Sequence, residues 1–116
     1  MIQENVILRK TIEFSLSVIK YVEILEANKK FVIANQLMKS GTSIGANVHE
    51  AQNAESKNDF IHKFKIAAKE IEETKYWLLL CKESMNYPDC MHLEVQIGEI
   101  EKIVTKIIST SKAKIG

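Results

Sequence analysis

A chain of 116 residues has the length of one domain, since single domains most often span about 100–150 residues. Hydrophobic residues make up 46% and charged residues 27%, which excludes an intrinsically disordered chain, because disorder needs low hydrophobicity. Sixteen basic residues face fifteen acidic ones, a net charge of +1, and that argues mildly against a dedicated nucleic-acid binder, whose affinity comes from many neutralised phosphates. Every basic residue except Arg9 is lysine, a point charge without the fork that reads base edges. Cys81 and Cys90 are too few for a secreted disulfide scaffold. The opening MIQENVILRK lacks the apolar core of a signal peptide. The longest apolar run, Tyr76 to Cys81, falls far short of the roughly 20 residues that span a membrane. A cytoplasmic protein is expected.

The first segment predicts a helix over residues 3–27. Phe14, Val18, Tyr21 and Leu25 recur at helical spacing, and Leu8, Ile12, Leu16 and Ile19 form a second stripe beside them. Two stripes make a face wider than a bundle seam needs. Asn28 then reads as the N-cap of a second helix, residues 30–53. Its apolar positions are Ala34, Leu37, Met38, Gly41, Ile44, Gly45, Val48 and Ala51. The central SGTSIGAN resembles a loop, but the apolar phase crosses it without a slip, so it reads as helix. Gly41 and Gly45 share one face, where small residues admit a neighbouring helix, and each costs about 1 kcal/mol against alanine.

Ser56 followed by Asp59 resembles a capping box and opens a third helix, residues 57–84. Phe60, Phe64, Ala67, Ile71, Thr74, Leu78 and Cys81 line its apolar face. The turn around Asn86-Tyr87-Pro88-Asp89 places Pro88 and Asp89 in the first turn of a fourth helix, residues 88–110. Leu93, Ile97, Ile100, Val104 and Ile107 form its seam, and the polar tail 111–116 is expected to fray. Four amphipathic helices with short turns specify an all-α, antiparallel up-down-up-down four-helix bundle as a single domain, residues 1–116. The surplus apolar surface of the first two helices points to self-association.

The run from Gln36 to Leu80 resembles a known family: the four-helix-bundle proteins encoded in intervening sequences of bacterial 23S rRNA genes. SGTSIGAN (residues 40–47), Glu50-Ala51, SKNDFI (residues 56–61) and ETKYWL (residues 73–78) carry the resemblance. Lys39 stands where the family usually has arginine, and His49 where a small or aliphatic residue is more usual. The resemblance implies a homo-oligomer, a ring-shaped pentamer. A related branch, the accessory proteins of diversity-generating retroelements, is similar in fold and binds nucleic acid through a basic surface.

Two stretches of this chain supply such a surface. After Glu101 come Lys102, Lys106, Lys112 and Lys114 with no acidic residue; the third helix opens with Lys57, Lys63, Lys65 and Lys69 against Asp59 alone. A ring would repeat each patch and add avidity, although no aromatic is interleaved to stack bases. Otherwise these lysines are solvated faces. Ser43, Asn47 and Glu50 share one face of the second helix, and Glu70, Glu73 and Trp77 share one face of the third. With Gly41 and Gly45 they read as a structural signature, with Asn47 or Glu50 bonded to a lysine such as Lys65 or Lys69.

Enzymatic chemistry finds little support. Asp59-x-x-His62 and Asp89-x-x-His92 echo the spacing of di-iron bundles, but both aspartates read as helix-start residues, so no metal and no cofactor are expected. His49, His62 and His92 lack a nucleophile at motif spacing. Gly-Thr-Ser-Ile-Gly lacks the lysine of a phosphate loop. Cys81 and Cys90 read as buried thiols. Two functions remain: an oligomeric bundle that binds RNA or DNA weakly through its lysines, or an oligomeric scaffold for protein interaction with no nucleic-acid role.

Overall fold

Helical spacing of the apolar residues is realised from one end of the chain to the other. The computed structural model describes residues 2–115, which form α1 (Ile2–Ala27), α2 (Phe31–Ala51), α3 (Lys57–Glu83) and α4 (Met91–Ile115). Each helix packs on its two neighbours, α1 on α2 and α4, and α3 on α2 and α4, while the diagonal pairs stay apart. The result is an all-α antiparallel four-helix bundle, a rod of 48 × 20 × 20 Å. Among the described residues no helix is long and apolar enough to cross a membrane.

The core follows the expected stripes closely. Phe14, Val18, Tyr21 and Leu25 of α1 are buried, as are all five seam residues of α4. On α3, Ile61 is buried in place of Phe60, which is half-buried and packs its ring 4.8 Å from Phe64. The second stripe of α1 behaves differently. Ile12 and Leu16 are 49% and 55% exposed, and Ile7, Thr11 and Val22 take the buried positions instead.

SGTSIGAN is helical throughout, and its glycines face α1. A Cβ at Gly41 would lie 3.1 Å from both γ-methyls of Val18, and one at Gly45 would lie 3.1 Å from Thr11 Cβ. Thr11 is buried without a stray donor, because its hydroxyl bonds the Ile7 carbonyl at 2.9 Å. On the opposite side of α2, the Thr74 hydroxyl of α3 donates to the Glu70 carbonyl at 2.7 Å and lies in hydrogen-bond contact with Ser40 Oγ at 2.9 Å. This buried polar contact joins α2 to α3 and is satisfied at both ends.

The turns correct several expectations. Asn28 does not cap α2. Its side-chain amide donates to the Ile24 carbonyl and so closes α1. Lys29 then takes φ 61°, the Lys30 N–H reaches Leu25 O at 2.8 Å and the Lys29 N–H reaches Glu26 O at 2.9 Å. That is a Schellman ending with lysine where glycine is usual. Ser56 caps α3 by accepting from the Asp59 N–H, but the Asp59 carboxylate accepts from the Glu55 N–H, one residue earlier than a capping box requires.

Pro88 and Asp89 precede α4 instead of opening it. The Tyr21 hydroxyl donates to Pro88 O at 2.7 Å, and the first α4 bonds run from the Leu93 and Glu94 N–H groups to Cys90 O. The tail that was expected to fray continues α4 to Ile115, with Lys112 and Lys114 in the last turn, where cations favour the helix dipole. Residue 116 lies outside the described residues. α2 ends two residues earlier than expected, at Ala51.

Gly45→Leu should force α1 and α2 apart, and overpacking a tight contact typically costs about 1–3 kcal/mol. Urea denaturation measures this: the midpoint should fall, and an unchanged midpoint would mean that the helices do not meet at Gly45.

Candidate functional site

Antiparallel packing sets the start of α3 beside the end of α4. Lys75 of α3 clamps the two helices midway, 3.1 Å from Glu101 of α4. Toward the lysine-bearing tip the ends of α2, α3 and α4 surround a cleft of about 490 Å³. Lys57 and Phe60 of α3 and Thr110 and Lys114 of α4 line it, with Gln52 and Ser56 from the α2–α3 turn. Two lysine clusters that are separate in sequence therefore contribute to one surface feature. An aromatic, Phe60, accompanies them.

The remaining basic residues divide by their neighbours. Lys63 is held by Glu50, 3.1 Å away across the α2–α3 seam, so its charge is partly neutralised. Lys65, Lys69, Lys102, Lys106 and Lys112 are exposed. Among the described residues the ion pairs within 4.0 Å are Lys10–Glu99, Lys63–Glu50, Lys75–Glu72 and Lys75–Glu101.

The signature residues lie on α2 and α3, apart from the cleft. Gly41 and Gly45 are buried against α1. Ser43 donates to the Lys39 carbonyl at 2.7 Å and Asn47 to the Ser43 carbonyl at 2.9 Å, so both serve their own helix. Glu50 does bond a lysine across the seam, but it is Lys63, which is nearer the α2–α3 turn than Lys65 or Lys69. Trp77 donates from Nε1 to Glu73 at 3.2 Å. Burial, and then the neighbouring Glu73, push the Glu70 carboxyl above the usual carboxylate range, while Lys69 and Lys39 pull it down. Of these hydrogen bonds the Lys63–Glu50 contact joins two helices; those of Ser43, Asn47 and Trp77 stay within one.

The matching family model, 23S rRNA-intervening sequence protein, covers residues 3–109 of the chain. The chain belongs to this family. A crystal structure of a protein of unknown function from the S23 ribosomal protein family of Bacteroides thetaiotaomicron is 39% identical, with a TM-score of 0.83, over 92% of this chain and 98% of that one. No curated protein matches.

At the opposite tip from the lysine cleft this intervening-sequence family member buries a titratable cluster. Tyr21, Cys81 and Cys90 are nearly inaccessible, and the Cys90 thiol points at the Leu78 carbonyl, 3.6 Å away. His62 and His92 are exposed, on α3 and α4. Asp59 is engaged as a cap residue and Asp89 lies ahead of α4. Among the described residues no three His, Cys, Asp or Glu side chains are placed to hold a metal ion.

Burial raises the Cys81 thiol, and burial aided by Glu94 pushes the Cys90 thiol up from 9.0 to about 11. The Tyr21 phenol is raised too, first by burial and then by Cys81. The Cys90 thiol holds its proton more tightly folded than unfolded, so its stabilising contribution is complete below about pH 9 and is lost as the pH rises toward 11. Urea unfolding at pH 7, 9 and 10.5 should show a declining alkaline limb, and Cys90→Ala should flatten it whatever its effect at neutral pH. An equal slope in the variant would remove Cys90 as the cause.

Proposed function

We propose that this protein is a non-enzymatic, cytoplasmic member of its family that assembles into a pentameric ring and binds RNA or DNA weakly through lysines repeated around that ring. One observation carries the reading: Lys57 and Lys114, from the two lysine-rich stretches, line a single cleft where α3 begins and α4 ends. Lys65, Lys69, Lys102, Lys106 and Lys112 are exposed and add charge along the same two helices. The net charge of +1 keeps the affinity of one subunit low. Repetition in a ring raises it by avidity.

Apolar surface supports assembly. Ile12 and Leu16 of α1 flank a groove with Gly45 and Ala46 of α2, while Tyr76 and Leu79 of α3 flank another with Ile97 and Gly98 of α4. Two different apolar patches on one subunit suit the head-to-tail contact from which a ring is built. The same surfaces support the second reading, an oligomeric scaffold that engages protein partners only.

Sedimentation velocity should give a five-subunit mass, and Leu16→Glu should shift it to a smaller species; a monomeric parent would contradict the ring. Fluorescence anisotropy of a labelled structured RNA, titrated across a salt series, separates the two functions. Under the nucleic-acid reading the affinity falls linearly with log salt as phosphates release counterions, and replacing Lys57, Lys65 and Lys69 with glutamate abolishes binding without altering assembly. Absence of binding at low salt would leave the scaffold.

A further inference from the structure

The cleft at the lysine-bearing tip is more specific than a basic surface. Its volume of about 490 Å³ lies within the roughly 300–1,000 Å³ typical of small-ligand sites, which a single nucleotide fills. Its wall carries two cations, Lys57 and Lys114, the hydroxyls of Ser56 and Thr110, and the amide of Gln52. No acidic residue lines it. The nearest α3 carboxylate, Asp59, is turned to the Glu55 N–H. Phe60 supplies the one aromatic surface, steadied by Phe64 beneath it.

We infer that this cleft receives the terminal phosphate of a nucleic-acid strand, with the phosphate between Lys57 and Lys114 and the terminal base against Phe60. The inference rests on the nucleic-acid reading and narrows it. Charge selects an end over an internal position: a phosphomonoester carries about −1.5 to −2 at neutral pH, matched by two ammonium groups, whereas an internal diester carries a single charge. The ends of α2, α3 and α4 all contribute residues to this half-open cleft at the tip of the rod. Ser56, the residue that caps α3, is part of the wall, so the positive end of that helix adds to the attraction. Base contact through a lone phenyl face is tolerant of sequence, because every base offers a π-face.

The test uses the whole chain and one internally labelled single-stranded RNA prepared in three forms: hydroxyl at both ends, phosphate at the 5′ end, and phosphate at the 3′ end. Anisotropy at low salt should show at least one phosphorylated form binding about tenfold more tightly than the hydroxyl form, which is about 1.4 kcal/mol. Lys57→Gln and Lys114→Gln should each erase that preference, so that in each variant the phosphorylated forms bind no more tightly than the hydroxyl form. Lys65→Gln and Lys69→Gln should weaken all three forms equally. All four lysines are exposed, and circular dichroism of each variant confirms that it is folded. Equal affinity for the three forms, with loss on Lys65→Gln, would overturn end capture while the nucleic-acid reading stood. No binding of any form would overturn both. A nucleoside monophosphate that competes as strongly as the phosphorylated RNA would overturn the strand end in favour of a free nucleotide.

Discussion

The narrowness of α2 is the constraint on which the bundle depends. With Ser40, Gly41 and Gly45 in its middle turns, α2 lets α1 approach until Val18 and Thr11 would touch an added Cβ at 3.1 Å. On its other flank Ser40 is small enough to meet Thr74 of α3 in a buried hydrogen bond. Helix propensity alone disfavours two glycines in one helix by about 1 kcal/mol each, so the packing they permit must offset that cost. The register set here is carried outward by the Glu50–Lys63 pair between α2 and α3 and by the Lys75–Glu101 pair between α3 and α4. These pairs are partly exposed, so their contribution is specificity of alignment more than stability.

That register gives the rod two unlike tips. At one, the start of α3 meets the end of α4, and lysines from both line a cleft. At the other, Tyr21, Cys81 and Cys90 are buried beneath the α3–α4 turn, while Phe31, Val32, Met85 and Met91 stand exposed around it. The Lys30 ammonium sits 5.1 Å from the centre of the Tyr87 ring and ties the α1–α2 turn to the α3–α4 turn. One tip thus presents a lysine-lined cleft and the other exposed apolar side chains. The proposed function draws on this polarity and on the surplus apolar surface along the flanks.

Much of the architecture is legible in the sequence because helical periodicity is a local signal. The phase argument places SGTSIGAN in a helix despite its glycines, and the seams of α1, α2 and α4 follow directly from residue spacing. Turn chemistry is less legible. Asn28 has the composition of an N-cap, yet whether it caps the following helix or closes the preceding one depends on which neighbour takes the left-handed conformation, and Lys29 does so. Pro88 suits a first helical turn, but its carbonyl is claimed by Tyr21 from 67 residues away. Glu50 is recognisable as a partner for a lysine; its choice of Lys63 follows from the length of the α2–α3 turn, which periodicity does not measure. The Ser40–Thr74 contact had a weak signal, since Ser40 lies in phase with Leu37 and Ile44. The meeting of Lys57, Phe60 and Lys114 had none, because it joins distant segments through the third dimension.

The central claim is that the lysines opening α3 and closing α4 act as one binding surface. A double-mutant cycle on RNA affinity tests it most directly, with Lys57→Glu, Lys114→Glu and the double variant measured at one salt concentration. Residues sharing one ligand group should be coupled by at least about 0.5 kcal/mol, whereas independent sites add within a few tenths. A clear coupling energy would match this account. Strict additivity, or a parent protein that binds no RNA at all, would contradict it.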